Sequence, residues 1–139
     1  MQFASSSSTL LTCPENDNPE AHKWYHVAVT RSGSSLKMFI DGKEVTSATD
    51  STNISTSPTT SYIGTRYSTE NSFDGFISNL RVIKGTALYT SAFTPPTREL
   101  TNVTNTKLLC CQSNTSANSA TVTPGTFSNS GVVLSLIHI

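Results

Sequence analysis

The sequence predicts an all-β protein of antiparallel strands, and three stretches carry that prediction. Residues 24–45, WYHVAVTRSGSSLKMFIDGKEV, are aromatic and β-branched at the start, alternate from Leu36 to Ile40, and hold Asp41-Gly42 at a turn. Residues 73–84, FDGFISNLRVIK, and residues 106–112, TKLLCCQ, are two further apolar runs of strand length.

The Asp-Gly pair is the strongest short hairpin signal a chain can carry, because Gly42 accepts a positive φ. A two-residue loop there sets Ile40 opposite Lys43 and Met38 opposite Val45, so Leu36, Met38 and Val45 share a face. The preceding turn admits two registers. A four-residue loop at 32–35 places Val27 and Val29 opposite Ile40 and Met38, while a three-residue loop would bring Trp24, His26 and Ala28 there. The four-residue loop is preferred, since a one-residue slip exchanges the faces and only this register gathers the aliphatic side chains.

Around these strands the chain reads in order. Residues 1–22 suggest one short strand and a loop. Residues 47–60 are polar, contain Pro58 and predict an exposed crossing between sheets. Residues 61–65, SYIGT, predict a short strand ending at Gly64, and residues 66–71, RYSTEN, a polar loop. The 73–84 run alternates imperfectly, which predicts a bulge or burial on both faces. Residues 86–89, TALY, suggest one helical turn before Pro95-Pro96 ends any regular ladder. Residues 113–130 return to Ser, Thr, Asn and Gly. The final six, LSLIHI, match a translated sequencing-library adapter, expected as a scar on a reading frame assembled from environmental reads.

Composition narrows the function classes. Nine basic residues balance nine acidic ones, so no clustered positive charge points to nucleic acid. No apolar run of about 18 residues is present, so no membrane-inserting helix is expected, and no signal peptide is visible at residues 1–11. Cys13, Cys110 and Cys111 make an odd count. On one strand the adjacent pair would point to opposite faces, which argues against a metal site or a shared disulfide and for free thiols.

Glu15, Asp17 and Glu20 read E-x-D-x-x-E, a spacing similar to the carboxylate triplet of laminarinase-like glycoside hydrolases. The intervening Asn16, Asn18 and Pro19 are turn formers, which favours a solvated loop over a catalytic strand. The chain has no Gly-flanked serine elbow, and His22, His26 and His138 lack metal-ligand spacing, so no enzyme is expected. The sequons at Asn53, Asn102 and Asn114 are those expected by chance in so polar a chain.

As a series, WYHVAVTR, LKMFIDGKEV, YIG, FDGFISNLRV and ALY resemble the concanavalin A-like, laminin G-like jelly roll, over residues 24–112. GTALYTSAFTPPT and NTKLLCCQS are similar to copies in marine phage and bacterial surface proteins. The resemblance implies an antiparallel two-sheet jelly-roll sandwich, here incomplete at its N-terminus. The expected divisions are 1–23, a partial strand and loop; 24–112, the jelly roll; 113–133, a tail or the start of a following copy; and 134–139, the scar.

The implied function is a non-catalytic carbohydrate- or surface-recognition module of a larger virion or cell-surface protein. Its partners would be a glycan and other copies or neighbouring domains of the same protein. A purely structural spacer is the alternative, and a glycoside hydrolase fragment a third. Candidate ligand contacts are the loop residues Arg66, Tyr67, Glu70 and Asn71, and Trp24, His26 and Phe39, which the preferred register sets opposite the aliphatic face. Ordinary packing of that second face competes with ligand binding. Calcium is a candidate cofactor, since relatives hold it at the rim, with Asp50 and Asp74 as candidate oxygen donors.

Overall fold

The computed structural model describes residues 1–5, 8–51, 62–64, 73–116 and 119–125. Among the described residues all sheets are antiparallel, and the one short helical element is a 3-10 turn at Glu15–Asp17. Two compact units are present: residues 1–58 with 86–95, and residues 59–85 with 96–139.

In the first unit, β1 (Gln2–Ser5) and β2 (Ser8–Thr12) form a hairpin, so the expected single strand before residue 22 is in fact a pair. The central sheet is β3 (Val27–Ser32), β4 (Ser35–Ile40) and β5 (Lys43–Thr49), in that order. Val27 faces Ile40 and Val29 faces Met38, the register preferred from the aliphatic pattern. Asp41 and Gly42 both take positive φ, 49° and 79°, as a type I′ turn requires.

The second hairpin departs from expectation at one point. Ile40 faces Lys43, but a bulge follows, and Met38 faces Thr46 in place of Val45. The bulge inserts Val45 as an extra residue without turning it from the core, against which it still packs. β5 also continues through Thr49, into residues read as the exposed crossing.

β4 is buried on both faces. Leu36, Met38 and Ile40 pack with Leu11 and Cys13, bordered by Phe3, Leu10, Tyr25, Val29, Val45 and Ala48. Phe39, on the opposite face and fully buried, meets Phe93 edge-on at 5.5 Å between centroids. Phe93 in turn stacks on Tyr89 at 3.6 Å and meets His26 edge-on at 5.4 Å. Residues 86–89 form no helical turn. They belong to an irregular segment whose aromatics cover Phe39, because burying large rings outweighs one isolated turn of helix.

In the second unit, β6 (Leu80–Ile83), β7 (Thr106–Cys110) and β8 (Ala120–Val122) form a sheet in that order. Of the 73–84 run only these four residues are strand, and the expected irregularity is a bulge between Val82 and Ile83. β7 pairs with β6, and the polar stretch after it supplies β8. Residues 62–64 bend in place of the expected strand, with Gly64 at φ 77°.

A polar tie and a sulfur pair stand beside this sheet, the sulfur pair against expectation. Asn79, at φ 54°, accepts from the Leu100 amide and from Gln112 Nε2, each at 3.2 Å, tying the β6 entry to the segments around residues 100 and 112. Cys110 and Cys111 do not diverge as strand neighbours would. The strand ends at Cys110, Cys111 takes φ 60°, and the two Sγ atoms lie 3.6 Å apart.

Candidate functional site

The site is built at the Asp41–Gly42 turn, where the loop before β3 comes alongside the β4–β5 hairpin. The 3-10 turn at Glu15–Asp17 presents Asp17 to Lys43, Oδ1 to Nζ at 2.8 Å. The Glu20 amide donates to the Tyr25 hydroxyl at 3.2 Å, and Glu20 pairs with Lys23. Asp41 Oδ1 accepts from the His26 amide at 2.8 Å, while the Asp41 amide donates to the His26 carbonyl.

These contacts line an open groove of about 300 Å³ with Asn16, Asp17, Asn18, Glu20, Tyr25, Ile40, Asp41, Lys43 and Val45. Carboxylates, side-chain amides and an ammonium line it together with one aromatic ring and two aliphatic side chains. Such a surface can accept and donate hydrogen bonds to hydroxyl groups while an apolar patch meets C–H groups.

A second groove of about 300 Å³ lies on the Phe39 face of the same sheet, lined by Thr30, Ser32, Ser35, Lys37, Tyr89 and Thr90. Thr30 Oγ1 donates to the Tyr89 carbonyl at 2.8 Å. Lys37 binds Glu44 at 2.8 Å, and that hydrogen bond holds the Glu44 carboxyl below its ordinary range. Lys37 is thus already satisfied by a carboxylate.

Among the described residues singled out from sequence, Trp24, His26 and Phe39 differ in exposure. Phe39 is fully buried and offers no surface to a ligand. His26 is half-buried among Tyr89 and Phe93, and Trp24 is 51% exposed. Arg66, Tyr67, Glu70 and Asn71 lie outside the described residues. Asp50 and Asp74 belong to different units, and among the described residues no three His, Cys, Asp or Glu side chains are grouped as metal ligands.

Tyr25 and Lys43 were missed as site residues, and Asp41 was assigned only to its turn. The signal available was their proximity to the turn-forming hairpin. The acidic triplet does not project from a strand, because Glu15 and Asp17 sit in the 3-10 turn and Glu20 in the loop after it.

Antiparallel sheets joined by hairpins define an all-β protein. The chain is a member of the concanavalin A-like lectin/glucanases superfamily, whose laminin G-like family model matches residues 1–92. The match extends through both described β1–β2 strands, ahead of the 24–112 span on which the resemblance was read. No curated protein and no solved structure matches the chain. The superfamily's description includes lectins and glucanases alike. Among the described residues no helix is long and apolar enough to cross a membrane.

Proposed function

We propose that this chain is a non-catalytic carbohydrate-recognition module of a larger virion or cell-surface protein, acting outside the cell, and that it contacts saccharide in the groove beside Asp41. The observation that carries this reading is the groove itself. Asn16, Asp17, Asn18, Glu20 and Asp41 line it together with Tyr25. Ion pairing to Lys43 and the backbone bond to His26 hold two of the carboxylates in place, which lowers the ordering cost of binding. Trp24, 51% exposed, would extend the contact, and the loop bearing Arg66, Tyr67, Glu70 and Asn71 is a separate candidate for saccharide.

A non-catalytic role is supported by the turn setting of Glu15, Asp17 and Glu20, since glycoside hydrolysis needs two carboxyl groups aimed across one bond. Calcium, through Asp50 or Asp74, would serve as an accessory to binding.

Binding of the intact chain to an array of diverse polysaccharides, with and without calcium, tests the proposal. Retention of a saccharide that Tyr25→Ala releases is the expected result. No binding to any polysaccharide under either condition would sink it.

A structural role in packing against neighbouring copies is favoured by a different observation. Phe73 and Phe76 are 59% and 61% exposed in the second unit, and Val82 is exposed as well. Concentration-dependent association that Phe76→Ser abolishes would support this second reading.

A further inference from the structure

We propose that Cys110 and Cys111 form a dithiol modification site, oxidised to a disulfide between neighbouring residues by exchange with a small-molecule disulfide. Strand alternation would separate the two side chains, but β7 stops at Cys110 and Cys111 enters the left-handed region at φ 60°. A non-glycine residue holds that conformation only where its surroundings impose it. Here the Asn79 amide donates to the Cys111 carbonyl at 2.9 Å, and Ser78 Oγ lies 3.5 Å from the same oxygen. The consequence is an Sγ–Sγ distance of 3.6 Å.

Exposure gives the two sulfurs different tasks. Cys110 is fully buried, whereas Cys111 is partly open to solvent, so an incoming disulfide meets Cys111 first. The hydrogen bond from Cys110 lowers the Cys111 thiol to about 7, while that same bond, then burial, push Cys110 up. Cys111 is therefore the nucleophile and Cys110 the resolving thiol.

The exchange balances without a further reactant. The Cys111 thiolate attacks one sulfur of RSSR, forming a mixed disulfide and expelling RS⁻, which takes up a proton as RSH. Cys110 then loses its proton to water, and its sulfur attacks Cys111 Sγ and expels the second RS⁻, protonated in turn. The protein loses two hydrogens and RSSR becomes two RSH. Neighbouring Cα atoms stand about 3.8 Å apart across a trans peptide, closer than the usual span of about 4.4–6.8 Å for a disulfide. The product ring is strained and easily reduced, which suits a reversible modification better than a structural staple.

The intact chain, treated with oxidised glutathione at neutral pH, unfolded, capped with N-ethylmaleimide and cut with trypsin, gives the test. The peptide beginning at Leu108 is expected two hydrogens lighter and uncapped, with both caps restored by prior mild reduction. Capping at both cysteines, glutathione retained on Cys111, or a peptide linked between chains would overturn the proposal. Cys110→Ser is expected to trap glutathione on Cys111, and Cys111→Ser to leave Cys110 unmodified. Equal glutathione on Cys110 in the latter variant would overturn the order of attack. The wild-type mass needs neither variant to fold.

Discussion

The Phe93 amide donates to the Gly42 carbonyl at 3.0 Å, and a Cβ added to Gly42 would lie 1.8 Å from the Phe93 carbonyl oxygen. One glycine thus serves the I′ turn and admits the segment that covers Phe39. Gly42→Ala combines a left-handed penalty of about 1–2 kcal/mol with a clash against backbone that cannot swing aside. Its expected cost is more than about 2 kcal/mol in urea unfolding, with loss of the near-ultraviolet signal of the Tyr89–Phe93 stack. Gly33 has φ 60° and open space around it, so Gly33→Ala should show the left-handed penalty alone, about 1–2 kcal/mol. Equal effects at the two positions would refute the steric part of this account.

Phe39 should behave as a core residue. It is fully buried against Phe93, so Phe39→Ala is expected to cost about 3–5 kcal/mol in equilibrium unfolding. A variant that kept wild-type stability while losing saccharide would return Phe39 to the ligand contacts.

Asp17 separates stability from binding. Its pair with Lys43 is partly exposed, so Asp17→Asn should change unfolding free energy by at most about 1 kcal/mol. Charged groups that hydrogen-bond a ligand contribute about 1.5–3 kcal/mol, so saccharide affinity should fall about ten- to a hundredfold. Calorimetric titration beside a thermal melt distinguishes the two effects.

Asn79 accepts two hydrogen bonds through one oxygen, from the Leu100 amide and from Gln112, and does so at φ 54°. Asn79→Ala removes the acceptor and places a less tolerant residue in the left-handed region. Destabilisation of about 1–3 kcal/mol is expected. Asn79→Gly restores the backbone freedom alone and should recover only part of the loss, as hydrogen exchange at the Leu100 amide would register.

Cys111 should titrate near neutrality. The Cys110 hydrogen bond stabilises its thiolate, with the thiol lowered to about 7, so its alkylation rate should rise with pH and level off above about 7. At pH 7 about half would be thiolate, against a few per cent for an ordinary thiol. The lower basicity takes back part of that gain, leaving a rate advantage of about three- to fourfold over a free cysteine peptide. A rate still climbing at pH 9 would contradict the assignment.

Much of the central hairpin was legible because its information is local. Asp41-Gly42 specifies a tight turn, and aliphatic side chains at Val29, Leu36, Met38 and Ile40 share a core in one register only, although Val27, opposite Ile40, stays 45% exposed. The bulge that moves Met38 from Val45 to Thr46 was not legible there, because either pairing leaves Val45 against the same core. In the 73–84 run the broken alternation did announce irregularity, though not that the ladder would shrink to four residues.

The groove was harder to read for the same reason in reverse. Asp17, Tyr25 and Lys43 share no motif and meet only when the loop before β3 lies beside the β4–β5 turn. Phe39, read as a ligand contact, is closed off by Phe93, which stands more than fifty residues later in the chain.

By itself, then, the sequence determined the strand class, the central register and the family, since turn chemistry and alternation act between near neighbours. Tertiary structure alone decided which polar groups converge on Tyr25, which aromatic face is covered, and that Cys110 and Cys111 meet. Those outcomes depend on contacts between segments distant in the chain, and on a left-handed Cys111 held by Asn79, which no local pattern encodes.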